Sequence, residues 1–321
     1  MSAGASLSRR ARWRLPEIVF WLLAFAALFL PPGKHLLLND VAILALFALS
    51  LDLILGYAGI ISLGHAAFFG AGAYAAGIFC KLVTPDPHAG LAIAIVVAAA
   101  LGALTSLLVL RGSDLTRLMV TLAVALVLHE VANALPQWTG GADGLQGMVV
   151  GPLLGQFDFD LYGRIAYAYS LVTLFVLFLL ARRIVHSPFG LSLMTIRRNP
   201  LRASALGVPT RPRLIAVYTL SAAYAGAAGA LLAQTTAYVS LEMLEFQRSA
   251  DVLLTLIIGG TGWLYGGIAG AIAFKILQDV LSSSAPQFWM FWMGIFLVGL
   301  ALVGRERLTR GVRGLVAKVL P

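Results

Sequence analysis

Residues 56–78 read GYAGIISLGHAAFFGAGAYAAGI. Six of these positions are glycine, and one imidazole, His65, sits among apolar neighbours. Inside a water-exposed helix each glycine costs about 1 kcal/mol relative to alanine. In lipid the balance differs. Lipid tails give helices no hydrophobic reason to associate, so close backbone packing through small residues does that work. Gly64, Gly70, Ala71, Gly72, Ala73, Ala76 and Gly77 offer such a packing surface. Glycine also permits unwinding where neighbouring helices or a water-filled path satisfy the freed backbone groups. The stretch therefore reads as part of an all-α, polytopic membrane bundle, either tightly packed or partly unwound beside a solute.

The rest of the chain agrees. Of 321 residues, 60% are hydrophobic and only 12% are charged, and mean hydropathy is +0.90. A soluble domain has about a quarter of its residues charged, so this chain has too few polar side chains to coat a soluble particle. The single cysteine, Cys80, excludes an internal disulfide and reads as a small apolar residue. A net charge of +9 would suggest nucleic acid for a soluble protein. For a membrane chain it is a question of where the charges fall, and no nucleic-acid partner is implied.

With about 20 apolar residues needed per crossing, about ten spans are expected. They are Leu15–Leu30, Leu36–Leu55, Ile60–Phe79, Ala89–Leu110, Leu115–Leu135, Ile165–Leu180, Leu214–Ala233, Ser249–Ile258, Trp263–Leu281 and Phe288–Val303. The eighth is too short to cross alone and must borrow from the following GGTGW or be broken. The basic start and apolar run resemble a signal peptide, but PPGKH follows where a small-residue cleavage site is required, so an uncleaved first span is expected.

Charge sets the orientation. Arg9, Arg10, Arg12 and Arg14 carry the 1–14 arm, and seven arginines without an acid carry the Arg182–Arg213 connection. Arg305, Arg307, Arg310, Arg313 and Lys318 outnumber Glu306 in the 304–321 tail. Connections of opposite parity hold Asp143, Asp158 and Asp160, then Glu242, Glu245 and Asp251. The positive-inside rule puts both termini and the 186–213 loop in the cytoplasm, around a 15–303 transmembrane domain.

Two glycine-rich segments share the spacing G-x2-G-x4-G: Gly56, Gly59, Gly64 and Gly259, Gly262, Gly267. Paired interrupted segments can mark a transport path. Asp52 sits within an apolar span and His65 near the end of one; intramembrane ionisable groups are functional candidates. For His65 the alternative is a satisfied core residue locking two helices. In the 186–213 loop, Leu191–Arg198 and Leu201–Leu206 read as two short helices, with Pro200 in the first turn of the second and Gly207 ending it. Such a segment suits a groove on a cytoplasmic partner; a solvated, lipid-facing loop is the plainer alternative. Thr139–Gly144 reads as a tight turn whose N–H groups could meet a carboxylate. It is no phosphate loop, because no Gly-Lys-Ser/Thr follows. The five histidines are scattered, and Asp158 with Asp160 is poor evidence for a metal; no metal, cofactor or catalytic set is expected. An ion-driven carrier would need a relay of intramembrane acids, and Asp52, Glu130 and Asp279 form no pattern.

GYAGIISLGHAAFFGAGAYAAG resembles the signature of the branched-chain amino-acid permeases of ATP-binding-cassette importers, specifically the LivM-type subunit. Three further stretches are similar to that family: TLAVALVLHEVANALPQWTGGADGL at 121–145, HSPFGLSLMTIRRNPLRASALGV at 186–208 and LIIGGTGWLYGGIAGA at 256–271. The resemblance covers about residues 41–303. It implies a permease subunit of the bacterial inner membrane, paired with a second, LivH-type permease chain. It also implies two cytoplasmic ATP-binding subunits that supply the hydrolysis and a periplasmic solute-binding protein. The pathway it implies draws on Asp52, Ser62, His65, Phe68, Thr121, Asn133, Thr139, Gly141 and Asp143. ATPase coupling falls to Arg197, Arg198, Asn199, Pro200, Leu201, Arg202, Leu206 and Gly207. The family usually has Asn at the position of Asp52 and often an acid at that of Leu126. These departures bear on the solute, which could be a branched-chain or other amino acid, urea, an amide or an aromatic acid.

Overall fold

The computed structural model describes residues 15–303 apart from Pro32 and Ala285. The basic arm and tail lie outside the described residues. The described residues fall into two compact units, divided after Ala271. Most of the described residues are helical, with isolated bridges Leu145–Val239 and Leu153–Phe157.

In the first unit, α1 (Leu15–Ala26) runs into a 3-10 turn, and α2 is His35–Asp52. α3 (Ala66–Leu82), α4 (Pro87–Val109) and α5 (Asp114–Ala134) follow, then the single turn α6 (Pro136–Thr139) and the long α7 (Arg164–Val185). The arginine-rich connection folds as α8 (Pro188–Arg198) and α9 (Pro200–Ala205). It is followed by α10 (Thr210–Thr236) and α11 (Phe246–Gly259). α12 (Leu264–Ser284) begins in this unit. The second unit holds the end of α12 and α13 (Trp289–Val303), which exposes Phe291, Ile295 and Val298.

Six of these helices are long and apolar enough to cross a membrane, α2 together with its continuation through Ala58 among them. α1 and α3 are shorter apolar helices. The expected sixth span gains five residues at its C-terminal end, reaching Val185. The expected third span is corrected at its start: residues 59–65 are not helical, and the helix begins at Ala66. The 14 residues of α11 extend about 21 Å at 1.5 Å per residue, short of a hydrocarbon core of about 30 Å. Its first turn meets the start of α3, where Ser249 Oγ accepts from Ala66 N at 2.9 Å.

Glycine lets α10 occupy the centre. A Cβ on Gly72 would overlap the backbone of Gly226, and one on Gly229 would overlap the carbonyl of Phe69. On the opposite side a Cβ on Gly102 would strike Ala222, and one on Gly226 would strike Ala98. α3 and α4 thus touch α10 backbone to backbone, the small-residue packing read from 56–78. Polar side chains tie α7 and α2 to α10: Ser170 Oγ donates to Asn39 Oδ1 at 2.6 Å and Asn39 Nδ2 to Thr235 Oγ1 at 3.2 Å. Near the start of α4, Gln234 Nε2 donates to Pro87 O at 2.8 Å and Tyr169 OH to Gln234 Oε1 at 3.0 Å. Asp160 caps α7, its carboxylate accepting from Arg164 N and Ile165 N at 3.2 and 2.9 Å. That geometry accounts for the acid without a metal, and no metal-binding cluster occurs among the described residues.

Candidate functional site

Past Asp52 the α2 ladder widens into a π-helical turn, Leu53–Ala58, which ends at Gly59 with φ +76°. Widening leaves carbonyls at the helix end without their usual partners. One of them, Gly56 O, accepts a hydrogen bond from Arg197 Nη1 in the last turn of α8. The loop between α11 and α12 arrives at the same place. Gly262, at φ +77°, donates its N–H to Asp52 Oδ1 at 2.7 Å. Asp52 is fully buried. The two glycine-rich segments of matching spacing therefore meet, Gly56 against Gly262, with Asp52 and Arg197 on either side.

Two cavities adjoin this junction, about 360 Å³ and about 260 Å³, and both are lined by Tyr57, Met194 and Gly262. The larger also reaches Glu17 and Arg182, an ion pair with Nη1 to Oε2 at 2.5 Å. The smaller reaches Arg197 and Arg198. Sequence reading missed Glu17, Tyr57 and Tyr265, all of which line the larger cavity. Glu17 was visible as an acid in the first turn of an apolar span, and its mate Arg182 as a basic residue at the end of another.

A second group forms at the start of α3. Ser50 Oγ donates to Phe47 O at 2.6 Å and lies 2.8 Å from His65 Nε2. With the hydroxyl proton so committed, Nε2–H is the donor in that pair. Ser221 Oγ donates to Ser50 O at 2.6 Å. The imidazole stacks on Phe47 at 5.5 Å and meets the edge of Phe68 at 5.7 Å. His65 and Phe68 are buried in this packing, and His65 Nδ1 has no hydrogen-bond partner among the described residues. Ser62 is fully buried, and its hydroxyl has no hydrogen-bond partner among the described residues. Thr121 Oγ1 accepts from Leu63 N at 3.3 Å and donates to Leu118 O at 3.0 Å. The Thr121 carbonyl occupies the space a Cβ on Gly64 would need.

The third group lies apart, over the other end of α3. Thr139 Oγ1 donates to Ala132 O at 2.5 Å and accepts from Gly141 N at 3.2 Å, which fixes the turn. Gly140 and Gly141 both have positive φ. Asp143 is exposed, and its carbonyl accepts from Tyr238 OH at 3.1 Å. Leu145 pairs with Val239, and both side chains pack over Gly77. Asn133 is exposed on α5. The structure thus brings Ser62, His65, Phe68 and Thr121 to one region with Asp52 nearby on α2, and leaves Asn133, Thr139, Gly141 and Asp143 in another.

The arginine-rich connection folds as expected, with its first helix starting at Pro188. Ser187 caps α8, accepting from Phe189 N at 3.2 Å. Asn199 caps α9, its Oδ1 accepting from Arg202 N at 2.9 Å, with Pro200 in the first turn. Gly207 takes φ +79° and ends it. Ala203 is buried, whereas Leu201 and Leu206 are 84% and 71% exposed. Arg198 and Arg202 are also exposed.

The family model for the branched-chain amino acid transport system permease component matches residues 35–302. The chain belongs to that family. It is 26% identical over 284 residues to the high-affinity branched-chain amino acid transport permease protein LivM of Escherichia coli, covering 81% of this chain and 67% of the relative. It is 27% identical over 275 residues to LivM of Salmonella typhimurium, covering 79% and 64%. A probable branched-chain amino acid transport permease protein LivH of Methanocaldococcus jannaschii is 25% identical over 268 residues, covering 78% and 82%. The chain spans about two thirds of the length of the two LivM relatives. No solved structure gives a significant match. As a family member this multi-pass chain is a transport-system permease component, and the similarity to LivM read from its motifs holds over most of its length.

Proposed function

We propose that this permease forms half of an amino-acid pathway through a bacterial inner membrane and is driven by ATPases bound beneath it. The observation that carries the reading is the α8–α9 segment. It exposes Leu201 on a capped helix of six residues and Leu206 at that helix's end, while Arg197 in the last turn of α8 reaches back into the end of α2. Exposed leucines on a short rigid element are what a protein groove recognises. A loop serving only charge would have no use for them.

In this reading Arg197, Arg198, Asn199, Pro200, Leu201, Arg202, Leu206 and Gly207 make or shape the contact with two cytoplasmic ATP-binding subunits. A LivH-type chain completes the pathway, and a periplasmic binding protein delivers a branched-chain or related amino acid. α5 supports a second permease chain. Most of α5 is uncovered, whereas α2 is largely enclosed, and Glu130 and Asn133 on α5 are exposed. Acids and amides within a span face protein or a water-filled path rather than lipid. Asp52, Ser62, His65, Phe68 and Thr121 then lie along the inner part of the path, and Thr139, Gly141 and Asp143 at its outer mouth. Both termini are cytoplasmic.

Leu201→Asp with Leu206→Asp tests the coupling surface in the purified complex. ATPase subunits should no longer co-purify, and ATP hydrolysis should lose its stimulation by loaded binding protein. Unchanged co-purification and stimulation would overturn the reading. Ligand screening of the cognate binding protein identifies the solute; selective binding of urea or an aromatic acid would replace the amino acid.

A further inference from the structure

We propose that Arg197 is a positioning residue that latches the two glycine-rich segments to α8 and carries its movement to them. Each partner is built to receive this side chain. The guanidinium donates to Gly56 O, at a helix end where carbonyls bear partial negative charge. A Cβ on Gly59 would lie 2.9 Å from Arg197 Cγ, so the stem passes over a residue that must remain glycine for space as well as for its φ of +76°. A Cβ on Gly262 would lie 3.2 Å from both Arg197 Nη1 and Gly56 O. Gly262 is in turn held to α2 through Asp52 Oδ1. One cation thus touches the end of α2 and the α11–α12 loop, and it sits on the wall of the 260 Å³ cavity between them.

The chemistry selects arginine. Several N–H donors in a fixed plane can hold a carbonyl while the aliphatic stem packs on glycine. Arg198, the next residue, faces the same cavity but makes no hydrogen bond to either glycine segment among the described residues, so the latch falls to Arg197. When α8 shifts, the Gly56 and Gly262 segments shift with it, and the cavity they bound opens or closes. Both segments are already non-α-helical at this point, so they can move without breaking a regular helix.

The latch presupposes the coupling reading of the 186–213 loop, and the test separates the two. Arg197→Met, Arg197→Gln and Arg197→Lys are prepared in the full complex in proteoliposomes. Amino-acid uptake per ATP hydrolysed is measured with co-purification of the ATPases. Met194→Cys, in a Cys80→Ala background, reports the cavity through its labelling rate with and without vanadate-trapped nucleotide. For R197M we expect ATPases bound, uptake per ATP reduced at least tenfold, and labelling that no longer responds to nucleotide. R197K should recover part of both readouts. R197Q is read in the same way and covers failure of R197M to accumulate. Wild-type uptake per ATP with nucleotide-dependent labelling in R197M or R197Q would overturn the latch. If the paired Leu201 and Leu206 changes also leave ATPase binding intact, it is the coupling reading that falls.

Discussion

At the scale of single residues, the glycines divide into those that hold the bundle and those that shape its inner end. Gly72 has no room for any side chain, because its Cβ would overlap Gly226. Gly72→Val should therefore abolish accumulation of folded protein or lower its melting temperature by several degrees, since overpacking of a filled core costs about 1–3 kcal/mol or more. Gly294→Ala meets no atom within 4 Å and should leave the melt unchanged; fluorescence-detected size exclusion over a temperature series compares them. The bundle-forming role was legible in the sequence as a density of small residues. The particular partner was not, because no spacing rule pairs Gly72 with a glycine 154 positions later. His65 shows a different limit. Its type and isolation marked it, but only the fold could show that Ser50 meets its Nε2 and Phe47 covers its ring, while Nδ1 has no hydrogen-bond partner among the described residues.

At the scale of elements, short helices were read well wherever caps announced them. Pro200 and Gly207 bracket α9 as the sequence implied, and Asn199 supplies a cap that the sequence reading did not assign. The π-helical turn after Asp52 was not read, and unwinding within 56–78 was one of two alternatives without a place assigned to it, because an apolar run carries no signal of how its ladder closes. The capping bond also sets a graded test. Asn199→Ala should cost about 1 kcal/mol of local stability. It should lower ATP-coupled uptake severalfold without the loss of assembly expected for the leucine changes. Asn199→Asp keeps the acceptor and should restore wild-type uptake. Equal uptake for Asn199→Ala and wild type would show that α9 needs no preformed end. α11 illustrates how length decides: its 14 residues do not cross alone, and its first turn, including Ser249, meets the start of α3.

At the scale of the whole molecule, sidedness rests on charge. Cysteines placed at Ser2 and Lys318 should resist an impermeant thiol reagent in sealed right-side-out vesicles and react after permeabilisation. Labelling of either before permeabilisation would invert the topology. Membrane character and helix class were evident from composition, because a deficit of charge is a property of the whole chain. Which helices lie inside was not, since α2 and α5 are both apolar while one is enclosed and the other open; partners in space decide that. The central place of α10 has a consequence for the order of events during synthesis. α3 and α4 leave the ribosome well over a hundred residues before the Gly226–Gly229 face that fills the gap between them. Chains emerge N-terminal end first. The early helices must therefore wait in the bilayer with their glycine surfaces facing lipid, and the bundle closes only when α10 is delivered. The nascent chain is open to quality-control proteases for that interval, and a chain cut before residue 226 has nothing with which to end it.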